Sequence, residues 1–137
     1  MNRIRGIVLA SGLIALAGSI GTLVLSEIMG LVPCELCWYQ RYLLYPQVFL
    51  IWGALVFSRF RLLYAAVPLS LGGVAVAAYH SWLQLQPTAS GTCSLSNPCA
   101  SVTLRVAGLS IPNLSLGTFL ALSMLLLISV TSTDHLV

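Results

Sequence analysis

Long apolar runs alternate with short polar breaks along the chain. Gly6 to Leu25 carries no charge. At about 1.5 Å per residue a helix over this run reaches roughly 30 Å, the thickness of a bilayer core. Trp38 to Phe57 is apolar apart from Gln40, Arg41 and Gln47, and Pro46 falls in its first turns. Leu62 to Leu85 is interrupted by Pro68, Gly72 and Gly73 and carries His80 and Gln84 near its end; Leu114 to Val130 is the last apolar run. This pattern predicts an all-α integral membrane protein, a four-transmembrane-helix bundle with approximate spans 6–25, 38–57, 62–85 and 114–130. Residues 1–137 then form a single membrane domain, and segments 26–37 and 86–113 are its two cysteine-bearing loops. The second loop is turn-rich, with Pro87, Gly91, Asn97-Pro98, Gly108 and Pro112. Arg3 and Arg5 ahead of an apolar stretch containing Ala15-Leu16-Ala17 also suit a signal peptide. The run continues well past that site, so a retained helix is expected. Gly12, Gly18 and Gly21 would let this first helix pack closely.

Composition agrees with a lipid solvent. The 137 residues are 58% hydrophobic and only 7% charged, against about 25% charged in soluble domains. The net charge of +3 comes from six arginines set against Glu27, Glu35 and Asp134. These arginines are scattered, which excludes a nucleic-acid surface. Four spans put the N-terminus, the Arg59/Arg61 turn and the C-terminus on one face, together with Arg3 and Arg5. The opposite face holds only Arg41 and Arg105. Short arginine-rich segments stay cytoplasmic, so both termini are expected in the cytoplasm and both cysteine loops outside it.

The four cysteines form two close pairs, Cys34/Cys37 and Cys93/Cys99. Such pairs become disulfides in an oxidising compartment and metal or redox sites in a reducing one. The outward topology favours the disulfides Cys34–Cys37 and Cys93–Cys99. The second pair could be a structural staple or an exposed disulfide open to a soluble dithiol, and its spacing suits both.

Cys37 and Arg41 lie four residues apart, on one face of a helix. A helix N-terminus and a guanidinium both favour a thiolate, and the expectation is a thiolate at Cys37. An arginine just inside a span points to function, the simpler alternative being a side chain that snorkels to the interface. His80 lies 18 residues beyond Leu62, roughly 27 Å along the third helix at about 1.5 Å per residue. That is the depth of Arg41, and Gln84 is one turn further on. Arg41, His80 and Gln84 could then converge beside Cys37 as the polar end of a site for a hydrophobic cofactor with carbonyl oxygens. Trp38, Tyr39, Tyr42, Tyr79 and Trp82 read first as an interfacial aromatic belt.

At Pro33-Cys34-x-x-Cys37-x-x-x-Arg41 and His80-Ser81-Trp82-Leu83-Gln84, the chain resembles the DsbB/BdbC family of membrane thiol–disulfide oxidoreductases. The resemblance covers nearly the whole chain and is greatest to the compact BdbC-like branch. It implies a multi-pass protein of a bacterial or archaeal cytoplasmic membrane that supports disulfide formation in exported proteins. A DsbA-like thioredoxin-fold thiol oxidase would be the partner, a membrane quinone (ubiquinone or menaquinone) the acceptor, and no metal would be needed. By position, Cys93 would be attacked by the partner and Cys99 released to exchange with the first pair. Cys37 would face the quinone, Arg41 would polarise it and stabilise the thiolate, and His80 and Gln84 would line its site. The cysteine spacing in the second loop is much shorter than in the better-known proteobacterial members. Two other readings compete: a four-cysteine metal-binding protein, and a membrane protein stapled by disulfides without redox turnover. A vitamin K epoxide reductase type ranks lower, since its principal Cys-x-x-Cys belongs to the last helical region.

Overall fold

The computed structural model describes residues 2–85, 105–106 and 108–135. The second cysteine pair, Cys93 and Cys99, lies outside the described residues. Four long helices make the fold: α1 (Asn2–Leu23), α2 (Glu35–Val56), α3 (Leu63–Leu85) and α4 (Ile111–Asp134). α1 runs on into a π-helical turn, Val24–Ile28, and a 3₁₀ turn, Phe60–Leu62, leads into α3. A short antiparallel hairpin, β1 (Arg105–Val106) and β2 (Leu109–Ser110), pairs Arg105 with Ser110 and Val106 with Leu109 and feeds α4. The apolar pattern did not announce this hairpin. Pro112, read from sequence as part of the turn-rich loop, lies in the first turn of α4. A proline there removes only an N–H that has no helical partner.

Three helical stretches, Asn2–Ile28, Phe60–Leu85 and Ile111–Asp134, are long and apolar enough to cross a membrane. α2 has 22 residues, about 33 Å at 1.5 Å per residue, but carries more polar groups. It hides Gln40, Arg41 and Gln47 among its neighbours. Each helix packs on the next in sequence, and α4 closes back on α1. Leu9, Leu13, Ile20, Phe49, Leu71, Met124 and Ile128 remain exposed on the bundle's outside, as expected where lipid is the solvent. The protein is an all-α integral membrane protein.

Small residues set the closest approaches. A Cβ on Gly73 of α3 would overlap the ring of Phe119 of α4, so this pair of helices requires glycine there. One turn away, Ser70 Oγ donates to the Phe119 carbonyl (3.2 Å) and pairs with Ser123 Oγ (2.8 Å). A Cβ on Gly12 would stand 3.3 Å from both Ile51 and Trp52, and one on Gly18 3.3 Å from Leu44. Gly21, grouped with these two from sequence, has no such neighbour within 4 Å.

Contacts near the termini fix which ends coincide. Arg5 Nη2 donates to Ser58 Oγ (3.0 Å) in the turn between α2 and α3. Tyr64 at the start of α3 hydrogen-bonds Asp134 at the end of α4. The start of α1, the Arg59/Arg61 turn and the end of α4 therefore share one end of the bundle, as the sequence predicts. Cys34, Cys37 and His80 occupy the other end.

Candidate functional site

The first cysteine pair straddles a helix start. Cys34 is the N-cap of α2, with extended backbone (φ −73°, ψ 170°), and its carbonyl accepts the first helical bond from Trp38 N (3.1 Å). Cys37 sits in the first turn. This places both sulfurs on one side of the helix terminus, with Sγ atoms 3.0 Å apart. A small apolar cluster of Leu36 and Leu83, flanked by Val76, packs against Cys34. Both sulfurs are half-buried.

α3 brings His80 to this pair. The ring is 3% exposed, with Nε2 3.8 Å from Cys34 Sγ and Nδ1 3.2 Å from Gln40 Nε2. Ser115 of α4 donates to Gln40 Oε1 at 2.7 Å. This bond orients the amide so that its NH₂ faces the ring, which makes Nδ1 an acceptor and leaves the ring proton on Nε2, facing the sulfur. A chain of donors thus runs from Ser115 through Gln40 and His80 to Cys34 and ties α4, α2 and α3 together. The Cys34 thiol is held down to about 4, chiefly by the hydrogen bond from Cys37, with smaller help from His80 and the Cys37 backbone N–H, against an opposing push from burial. The expectation put the favoured thiolate at Cys37. Geometry moves it to Cys34, because the helix N–H, the partner thiol and the imidazole all converge on that sulfur.

Arg41 takes another course. It is 7% exposed, too deep for a snorkelling side chain. Its Nη2 donates across the bundle to the carbonyl of Thr22 (2.7 Å), and its guanidinium carbon lies 5.3 Å from the Trp38 ring centroid. The carbonyl stands just ahead of the π turn and also accepts from Ser26 Oγ (3.2 Å). Tyr45 fastens the same spot, its hydroxyl 3.3 Å from Thr22 Oγ1. Among the described residues, no hydrogen bond joins Arg41 to either sulfur or Gln84 to this cluster. Trp38, Tyr39, Tyr42, Tyr79 and Trp82 are all exposed.

The structure thus brings together Cys34, Cys37 and His80, with Arg41 on the adjacent turn. Sequence reading missed Gln40, Ser115, Thr22 and Tyr45. Gln40 had a signal: it is a polar residue in an apolar run, three after Cys37. Ser115 had none, since only folding brings it 2.7 Å from a side chain 75 positions away.

Two thiols this close can interconvert with a disulfide, and a sulfur with low proton affinity is both a stable thiolate and a good leaving group. The sequence profile described as disulfide bond formation protein DsbB matches residues 3–129. Disulfide bond formation protein C of Bacillus subtilis is 35% identical over 114 residues, covering 81% of this chain and 83% of its own. A probable disulfide formation protein of Oceanobacillus iheyensis is 39% identical over 118 residues, with 82% and 78% covered. One from Metapseudomonas resinovorans is 32% identical over 126 residues, with 89% and 88% covered. The paired sulfurs at the helix start and these matches lead to one conclusion: the chain belongs to the DsbB family of disulfide bond formation proteins.

Proposed function

We propose that this membrane disulfide oxidoreductase is quinone-dependent and reoxidises a DsbA-like thiol oxidase outside the cytoplasm. The supporting observation is the placement of Cys34 and Cys37 against His80, at the end of the bundle away from the Arg59/Arg61 turn. Under the positive-inside rule that turn is cytoplasmic, so the sulfurs face the oxidising side.

In this reading the partner's thiolate attacks Cys93, forming a mixed disulfide and releasing the Cys99 thiolate. A second partner thiolate resolves the mixed disulfide, and exchange with the first pair re-forms the Cys93–Cys99 disulfide. The net result is an oxidised partner and two electrons in the Cys34/Cys37 dithiol. The local chemistry favours that direction. His80 Nε2–H and the Cys37 thiol stabilise the Cys34 thiolate, and stabilising the reduced form makes a pair a stronger oxidant. Gln40 and Ser115 hold the imidazole in the tautomer that donates to sulfur.

The donor set suits a quinone. Arg41 is buried and, among the described residues, uses one of its several N–H donors on Thr22. The remaining donors are matched to a carbonyl oxygen. Arg41 would hold the ring's oxygen, with Cys37 the sulfur beside it. His80 has both nitrogens engaged and serves the sulfur in this arrangement, with Gln84 at the margin. When bound, a quinone supplies a two-electron, two-proton acceptor. The residues' own part is to exclude water around Cys34 through Leu36 and Leu83 and to keep a proton donor at His80 Nε2.

Purified protein in detergent, given a reduced thioredoxin-like dithiol and a quinone, should bleach the quinone absorbance. Cys34→Ser and Cys37→Ser should each stop it. Unchanged bleaching by the double variant would overturn the reading.

A further inference from the structure

The same end of the bundle has the makings of a metal site. The two sulfurs of Cys34 and Cys37 and a ring nitrogen of His80 all lie within 4.8 Å of one another. Zinc bonds of about 2.3 Å to sulfur and 2.0–2.1 Å to nitrogen, in tetrahedral array, put the sulfurs about 3.8 Å apart and sulfur and nitrogen about 3.5 Å apart. The observed separations are 3.0 Å for the sulfurs and 3.8 Å from Cys34 Sγ to His80 Nε2. These two separations need to change by under about 1 Å to reach tetrahedral spacing, within reach of side-chain rotation. Two soft thiolates and one imidazole suit zinc(II), and three protein ligands leave a fourth position open.

The surroundings supply what a metal-bound histidine needs. Its other nitrogen must donate to a fixed acceptor. Gln40 lies 3.2 Å from Nδ1. With its amide turned end for end, the carbonyl accepts the Nδ1–H and the NH₂ faces Ser115. The Ser115 hydroxyl can accept as readily as donate, so the chain stays paired in both senses. Arg41, drawn to Thr22 and Trp38, makes no hydrogen bond to the sulfurs among the described residues.

We infer that the reduced centre binds one zinc(II) ion through Cys34, Cys37 and His80, and that this metal blocks the redox cycle. The inference rests on the proposed cycling of Cys34 and Cys37 through a dithiol. Binding oxidises and reduces nothing: it forms two S–Zn bonds and one Nε2–Zn bond, releases the protons the two sulfurs still carry, and shifts the imidazole proton from Nε2 to Nδ1, where the turned Gln40 carbonyl accepts it. The disulfide has no thiolates to offer, so only the reduced form takes the ion. By linkage the ion stabilises the dithiol and withholds its electrons.

The test uses the full chain with Cys93→Ser/Cys99→Ser, so that any thiolate signal comes from the first pair. The protein is reduced chemically with a phosphine, desalted and titrated with cobalt(II) as a spectroscopic stand-in. One equivalent should give thiolate-to-cobalt charge-transfer absorption with tetrahedral d–d bands, displaced by zinc(II) and absent from the disulfide form. His80→Ala should weaken binding by about 10-fold or more, and Gln40→Ala by about 10-fold because the imidazole loses the acceptor that fixes it. Gel filtration and helical circular dichroism confirm that each variant is folded. No cobalt spectrum in the reduced protein, or an affinity unchanged by both His80→Ala and Gln40→Ala, would overturn the inference. Quinone reduction by metal-free wild-type protein is measured separately. Zinc(II) should stop it and a chelator restore it, whereas full turnover in saturating zinc(II) would overturn the block. Failure of the metal-free reaction alongside an intact cobalt site would instead overturn the proposed function.

Discussion

The two ends of the bundle both carry polar side chains, and they use them differently. At the arginine end, Arg5 meets Ser58 and Tyr64 meets Asp134, all of them exposed. Water and salt screen such contacts, and each contributes little. At the thiol end, Gln40, Arg41 and His80 are 8%, 7% and 3% exposed and hydrogen-bonded across helices. Low dielectric strengthens these bonds and makes an unmade one costly. The polar groups of the arginine end lie at the surface, while those of the thiol end are enclosed and hydrogen-bonded around Cys34. Burial, more than residue type, separates the two roles.

The largest effect should come from the sulfurs themselves. Cys37→Ser should reduce dithiol-driven quinone reduction to background in a detergent assay, whereas Arg59→Ala at the opposite end should leave the rate within about twofold, as a surface change far from the site.

Next is the acidity of Cys34. In the reduced protein its thiolate persists down to about pH 4 and is lost as pH falls through that value. Alkylation of Cys34 in a Cys93→Ser/Cys99→Ser background should therefore stay fast at pH 6, where an ordinary thiol of pKa about 8.5 is almost fully protonated. Cys37→Ala, which removes the largest stabilising bond, should move the profile sharply upward. His80→Ala should move it less. A profile already ordinary in the parent protein would erase the contrast between the two ends.

Arg41 and Arg61 compare the ends directly. Arg41→Ala removes a buried charge-assisted hydrogen bond to Thr22 and should cost about 1–3 kcal/mol in reversible unfolding. Arg61→Ala should fall within about 0.5 kcal/mol. Equal losses would mean that burial does not distinguish the two guanidinium groups. The smallest effect belongs to Ser58→Ala, where loss of the exposed bond from Arg5 should change stability by less than about 0.5 kcal/mol.

The apolar runs alone determined that this is a four-helix membrane protein, because a bilayer demands helices of a set length whatever their partners. The Cys-x-x-Cys was equally legible, since four residues of one helix start keep their spacing in any fold. Depth along a helix follows from counting residues, and it carried His80 to the right level. Direction around the helix does not follow from counting in the same way. Arg41 was expected to turn to Cys37, and tertiary packing instead brought its guanidinium to the Thr22 carbonyl of α1. The partners of Gln40 were likewise set only when α4 brought Ser115 across the bundle and α3 brought His80. Sequence periodicity ranks faces by hydrophobicity, but a hydrogen bond needs two atoms within about 3 Å. Only the packed helices decide which two those are, and here they decided that Cys34 is the sulfur to which the donors point.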